Sequence, residues 1–142
     1  MGGPCAYVSA GDVAPVVGGP VYDGAPATAG GNWNGAQVCV FMAQSRFVVA
    51  IPDANVDFNS ATVGFLDQAT YMRLIAPPTP FSGVQPVAGY GSEAFEVAAP
   101  HYEVLFVHKG AFHVVFEVDA GKGSFFLPEE RLARIVVPRL PA

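Results

Sequence analysis

His101, His108 and His113 are the chain's three histidines, and histidine is the one side chain that changes charge near neutral pH without help from its surroundings. All three fall in or beside one pair of β-type runs, with Glu103 and Glu117 close by. Alternate residues of a strand share a face, which puts His113 with Tyr102, Val104, Phe106 and Glu117. A His–Glu–Tyr group in half-apolar surroundings performs general acid–base chemistry when burial shifts its pKa values. Spacing weakens that reading. Glu117 stands about 13 Å along the strand from His113 at the usual rise per residue, so direct contact is not expected. Glu103 occupies the position where a His-x-His pair of metal ligands would need its second ring. A solvated or strand-edge histidine accounts for the same residues.

No other motif supplies chemistry. The chain has no Gly-x-Ser-x-Gly elbow, no Walker loop and no His-Glu-x-x-His helix. Gly89-Tyr90-Gly91 is a lone Gly-x-Gly, which marks a turn. We therefore assign no catalytic residue, no metal ligand and no cofactor from the sequence. The two cysteines, Cys5 and Cys39, form neither a redox Cys-x-x-Cys nor a four-ligand zinc set. They read as one structural bridge, or else as two separate buried thiols. A bridge of that span contributes about 3–4 kcal/mol.

Composition narrows the class. In 142 residues, 51% are hydrophobic and 13% charged, which is a folding chain and one domain in length. The net charge is −5 and the seven Lys and Arg form no basic cluster, which argues against nucleic acid and anionic membrane surfaces. The charge-poor stretches 24–45 and 74–92 are interrupted by Gly, Pro, Asn and Ser, so neither qualifies as a membrane span. Met1-Gly2-Gly3-Pro4 lacks the basic and apolar regions of a signal peptide, so an exported form is expected to be the mature domain.

The elements that must position these residues follow in order. Ser9 and Asp12 start a short helix over 9–17, which Gly18-Gly19-Pro20 stops. Residues 21–36, with Gly24, Gly30, Gly31, Gly35 and Pro26, read as a long loop in which Trp33 folds back over the core edge. Gln37–Met42 and Phe47–Ile51 read as a hairpin joined by 43–46. A second helix is expected from Asn59 or Ser60 to about Leu74, burying Phe65, Leu66, Ala69 and Met72. Ala76-Pro77-Pro78-Thr79-Pro80 is a stiff crossing within the domain. Beyond residue 84 the chain reads as strands, including Ala94–Ala98, and the strongest local signal is a hairpin of Tyr102–His108 and Ala111–Val118. A two-residue turn at Lys109-Gly110 would pair Val107 with Phe112 and Phe106 with His113. Both faces of this pair are largely apolar, as expected of central strands covered on both sides. Pro128 to about Val137 is a final helix, with Glu129 and Glu130 in its first turn and Leu132, Ile135 and Val136 inward.

The order of these pieces has a wider likeness. A Cys precedes a short helix ending in Gly18-Gly19-Pro20-Val21, and a second Cys lies in a strand. Pro86-Val87-Ala88-Gly89-Tyr90-Gly91-Ser92-Glu93-Ala94 and a His108-Lys109-Gly110 hairpin follow. Nearly the whole chain resembles the small secreted and lipoprotein domains of unknown function common in actinobacteria. That resemblance implies export, a Cys5–Cys39 bridge and an α+β domain. The chain departs from the pattern at Ser92, where the usual residue is Asp, and at His108, where it is Arg. It also lacks the upstream lipid-attachment cysteine. The family brings no catalytic residues to carry over.

The expected fold is thus a single α+β domain, an antiparallel sheet of about five strands with two or three helices packed on it. The expected function is that of a non-enzymatic secreted or cell-envelope interaction module meeting an envelope protein. A carrier of a small apolar ligand, suggested by Phe106, Phe112, Phe116, Phe125 and Phe126, and a small enzyme using His113 or His101 are the alternatives. Trp33, Tyr102, Phe106 and His113 form the expected ligand-binding set.

Overall fold

Val and Phe recur through the stretches 38–65 and 95–118, and such residues suit a pleated surface packed on both faces. A computed structural model describes residues 3–51, 54–76, 83–98, 103–119 and 126–141. Seven strands form one antiparallel sheet: β1 (Ala25–Thr28), β2 (Gln37–Ile51), β3 (Ala54–Leu66), β4 (Gly83–Val87), β5 (Glu93–Ala98), β6 (Glu103–Lys109) and β7 (Phe112–Asp119). Their spatial order is β1-β2-β3-β7-β6-β5-β4. Two meanders therefore meet where β3 pairs with β7 at the centre. Three helices, α1 (Ala10–Val17), α2 (Gln68–Ile75) and α3 (Leu127–Val136), complete the α+β domain.

The two extra strands have identifiable causes. The expected loop over 21–36 contains β1, whose Pro26 lies opposite Cys39. Gly24 permits this approach, since a Cβ there would collide with Cys39 Sγ and the Phe41 ring. The expected hairpin over 37–51 is instead one long strand with a register shift between Met42 and Phe47. Its partner is β3, which takes up residues expected to begin the second helix. Ala61, Val63 and Phe65 alternate with Thr62 and Gly64, and that period-2 pattern prevails over the helical one. The helix starts later, capped by Asp67, whose side chain accepts from the Thr70 N–H at 2.7 Å. It buries Thr70, Tyr71 and Leu74, and leaves Met72 exposed.

Other expectations hold in detail. Ser9 and Asp12 form a reciprocal capping box on α1, and Gly18 closes it in the left-handed conformation at φ 81°. Pro128 sits in the first turn of α3, with Leu132 and Val136 buried; Ile135 is half-buried. The β6–β7 hairpin forms, but its turn is Gly110-Ala111. Val107 pairs with Val114 and Phe106 with Val115. Every partner moves by two residues, so each side chain keeps its expected face.

The sheet separates two cores. On the helix-rich face, α1 and α3 cover Phe41, Val63, Leu105, Val107, Val114 and Phe116. The disulfide Cys5–Cys39, with Cα atoms 5.1 Å apart, ties the N-terminal segment to that face. On the opposite face, α2 and Trp33 cover Val97, Val104, Phe106 and Val115. No helix among the described residues is long and apolar enough to cross a membrane.

Candidate functional site

The thinner face carries the polar chemistry. His108 on β6 and His113 on β7 are direct cross-strand partners. Their rings stack with centroids 4.4 Å apart and planes 11° apart. Tyr71, fully buried on α2, lies against them at 4.9 Å from His113 and 6.1 Å from His108. Its hydroxyl donates to Glu93 Oε1 at 3.3 Å. The same oxygen lies 3.8 Å from His108 Nδ1.

Local sequence explains the placement. Asp67 ends β3 and starts α2, and Leu66 pairs with His113, so the start of α2 is delivered beside the histidines. Gly91 takes a left-handed conformation at φ 63°, where a Cβ would collide with the His108 carbonyl oxygen. That carbonyl accepts from the Ser92 N–H at 2.9 Å and from Ser92 Oγ at 3.0 Å. Ser92 is therefore bonded to the His108 backbone twice. His108 Nε2 is held 2.9 Å from the Gly110 carbonyl, which fixes the Nε2–H tautomer of the neutral ring.

Between the β6–β7 turn and α2 lies a cleft of about 440 Å³ lined by Leu66, Asp67, Gln68, His108, Gly110, Ala111 and His113. His113 is nearly buried, and its pKa is lowered, first by desolvation and then by the charge of His108, against the opposing pull of Glu93 and Asp67. Its ring is thus neutral at pH 7, ready to donate or accept one hydrogen bond. Burial and Glu93 raise the Tyr71 hydroxyl pKa, which keeps it a donor. The cleft lining contains no Ser, Thr or Cys to act as a nucleophile. Among the described residues, no group of three or more His, Cys, Asp or Glu is arranged to hold a metal ion.

The sequence-derived set is placed as follows. Phe106 has no exposed surface, and Trp33 packs on it at 5.9 Å and Tyr71 at 6.1 Å. Trp33 and Phe106 therefore come together, as wall and core. His113 is on the same face and lines the cleft. Tyr102, His101 and Phe125 lie outside the described residues. Phe112 and Phe116 point to the helix-rich face, where Phe112 meets Tyr7 at 6.0 Å and Phe65 at 5.1 Å. The sheet thus divides the aromatic group suggested by the sequence.

Sequence reasoning missed Tyr71, Glu93 and Asp67, because each reaches the histidines only through strand pairing and helix docking. It placed Glu129 in the first turn of the last helix, as found, without counting it among the buried residues, and Glu129 is fully buried. No protein-family model matches the chain, and no curated protein or solved structure is significantly similar to it.

Proposed function

We propose that the chain is a non-enzymatic secreted or cell-envelope module that recognises its partner through the cleft at His108 and His113. The observation that carries this reading is the His113 ring. It is nearly buried and lines a cleft whose lining contains no Ser, Thr or Cys. A neutral imidazole of this kind donates to or accepts from a polar partner group. The Cys5–Cys39 bridge supports an oxidising compartment. Recognition through side chains also suits the sheet edges. β1 carries Pro26 and β4 carries Pro86, and proline offers no N–H to an added strand.

NMR titration of labelled protein with soluble cell-wall fragments and with secreted proteins tests the proposal. Shifts should centre on His108, Gly110, Ala111 and His113, and His113→Ala should abolish them while the melting temperature stays within a few degrees. A catalytic turnover lost in His113→Ala would overturn the module in favour of an enzyme. An apolar molecule retained in the native mass spectrum would overturn it in favour of a carrier.

A further inference from the structure

The second concentration of polar chemistry lies on the helix-rich face, where α3 begins. Glu129 occupies the third position of α3, from which a glutamate ordinarily reaches back to the N–H of the capping residue. That residue is Phe126, held at φ 61°. Its N–H instead donates to Glu103 Oε2 on β6 at 3.1 Å. Glu103 has taken the role open to Glu129. The Glu129 carboxyl is left fully buried, and neither of its oxygens has a hydrogen-bond partner.

The surroundings of Glu129 are acidic on several sides. Glu103 of β6, Glu117 of β7 and the adjacent Glu130 all repel a charge there. Glu130 accepts from the Tyr90 hydroxyl at 2.8 Å and shares a hydrogen bond with Glu96 of β5. Among the described residues, the cations on neighbouring elements are engaged elsewhere. Arg134 lies at the exposed end of the Glu130–Tyr90 contact, 3.7 Å from Glu130. Lys109 of β6 donates to the Val137 carbonyl beyond the far end of α3. Arg139 is committed to Asp12 of α1 at 2.7 Å. A buried carboxylate without a counter-charge or donor is among the most costly groups a fold can hold, and a neutral carboxyl is much less so.

We propose that the first turn of α3 is a proton-dependent latch: Glu129 stays seated inside the domain while protonated, and its ionisation releases that turn from the sheet. An ionised Glu129 would have to leave the core or compete with Glu103 for the Phe126 N–H, and either event loosens the start of α3. Burial first, with the neighbouring glutamates, holds the Glu129 pKa well above the ordinary value of 4.5 against the lowering pull of its own backbone N–H. Burial and Glu130 push Glu96 up to about 7. A raised folded-state pKa contributes stability that is complete below the unfolded value and disappears as pH rises through the folded one. The latch therefore closes in acid and opens toward alkali.

Thermal melts and amide exchange of the intact chain from about pH 5 to about pH 9 test it. The wild-type melting temperature should fall as pH rises, and the amides of 127–133 should lose protection beyond the intrinsic rate change. Glu129→Gln, a neutral isostere, should flatten both trends. Equal pH slopes in wild type and Glu129→Gln would overturn the latch. Should that variant not fold, carboxyl carbon NMR of the wild type decides directly: a Glu129 resonance that titrates in the ordinary glutamate range overturns the proposal, and one that stays protonated through it supports it. Millimolar calcium or magnesium at the alkaline end provides a further control. A rise in melting temperature that needs Glu129 would make the cluster a cation site and overturn the proton latch.

Discussion

The two faces of the sheet are covered by different amounts of chain. The helix-rich face has α1, α3, the N-terminal segment and the disulfide, and the elements that cover it come from both chain ends. Arg139 near the C-terminus accordingly contacts Asp12 and the Tyr7 carbonyl near the N-terminus. The cleft face has one short helix and one tryptophan over its core, and it carries the paired histidines. The contrast teaches that the two faces have different tasks. The first assembles the chain ends and supplies most of the core, while the second leaves polar groups near solvent.

If the helix-rich face depends on its tether, breaking the bridge should loosen that face before the other. Cys39→Ser, or reduction, should cost about 3–4 kcal/mol, seen as a lower denaturant midpoint. Amide protection should fall first in α1 and its neighbours, with α2 and β6–β7 retained. Equal loss on both faces would mean that they open as one unit.

A smaller effect is expected on the cleft face. Asp67→Ala removes the cap of α2 and should destabilise by about 0.5–2 kcal/mol. The histidine ring resonances should move with it, because α2 carries Tyr71 against them. Unchanged histidine resonances would show that the stack holds without the helix.

The smallest effect is at the chain ends. Arg139 forms two hydrogen bonds to Asp12, at 2.7 and 3.0 Å, and lowers its pKa to about 2. A depressed folded-state pKa contributes stability above the unfolded value of 3.8 that is lost as pH falls toward about 2. Solvent screens the pair, so the effect should stay under about 1 kcal/mol. Arg139→Gln should remove this part of the acid dependence and leave behaviour above pH 5 nearly unchanged, as read by melts across the acid range.

Legibility of the fold followed how local each signal was. The α1 capping box, the start of α3 and the β6–β7 hairpin rest on residues within a few positions of one another, and the sequence reading placed them. The β2–β3 pairing was misread. Phe47–Ile51 looked like a second strand of its own, although it continues β2, and 60–66 looked helical before its strand partners were known. Apolar periodicity in a short run fits both elements until a neighbour selects one. The candidate site was legible only as histidines on one hairpin.

By itself, the sequence determined the class of this protein. Its apolar excess, alternating runs and helix caps point to an α+β domain and its net charge argues against a basic nucleic-acid surface, since burial, capping and net charge are properties of residues and their near neighbours; the pairing of the two cysteines came from the structure. Tertiary structure alone decided which groups meet. Strand order set His108 on His113 and Glu93 beside His108, and the docking of α2 brought Tyr71 to them. The seating of α3 enclosed Glu129 without a partner. These outcomes rest on contacts between distant residues, whose closure depends on the whole packed sheet rather than on any local preference.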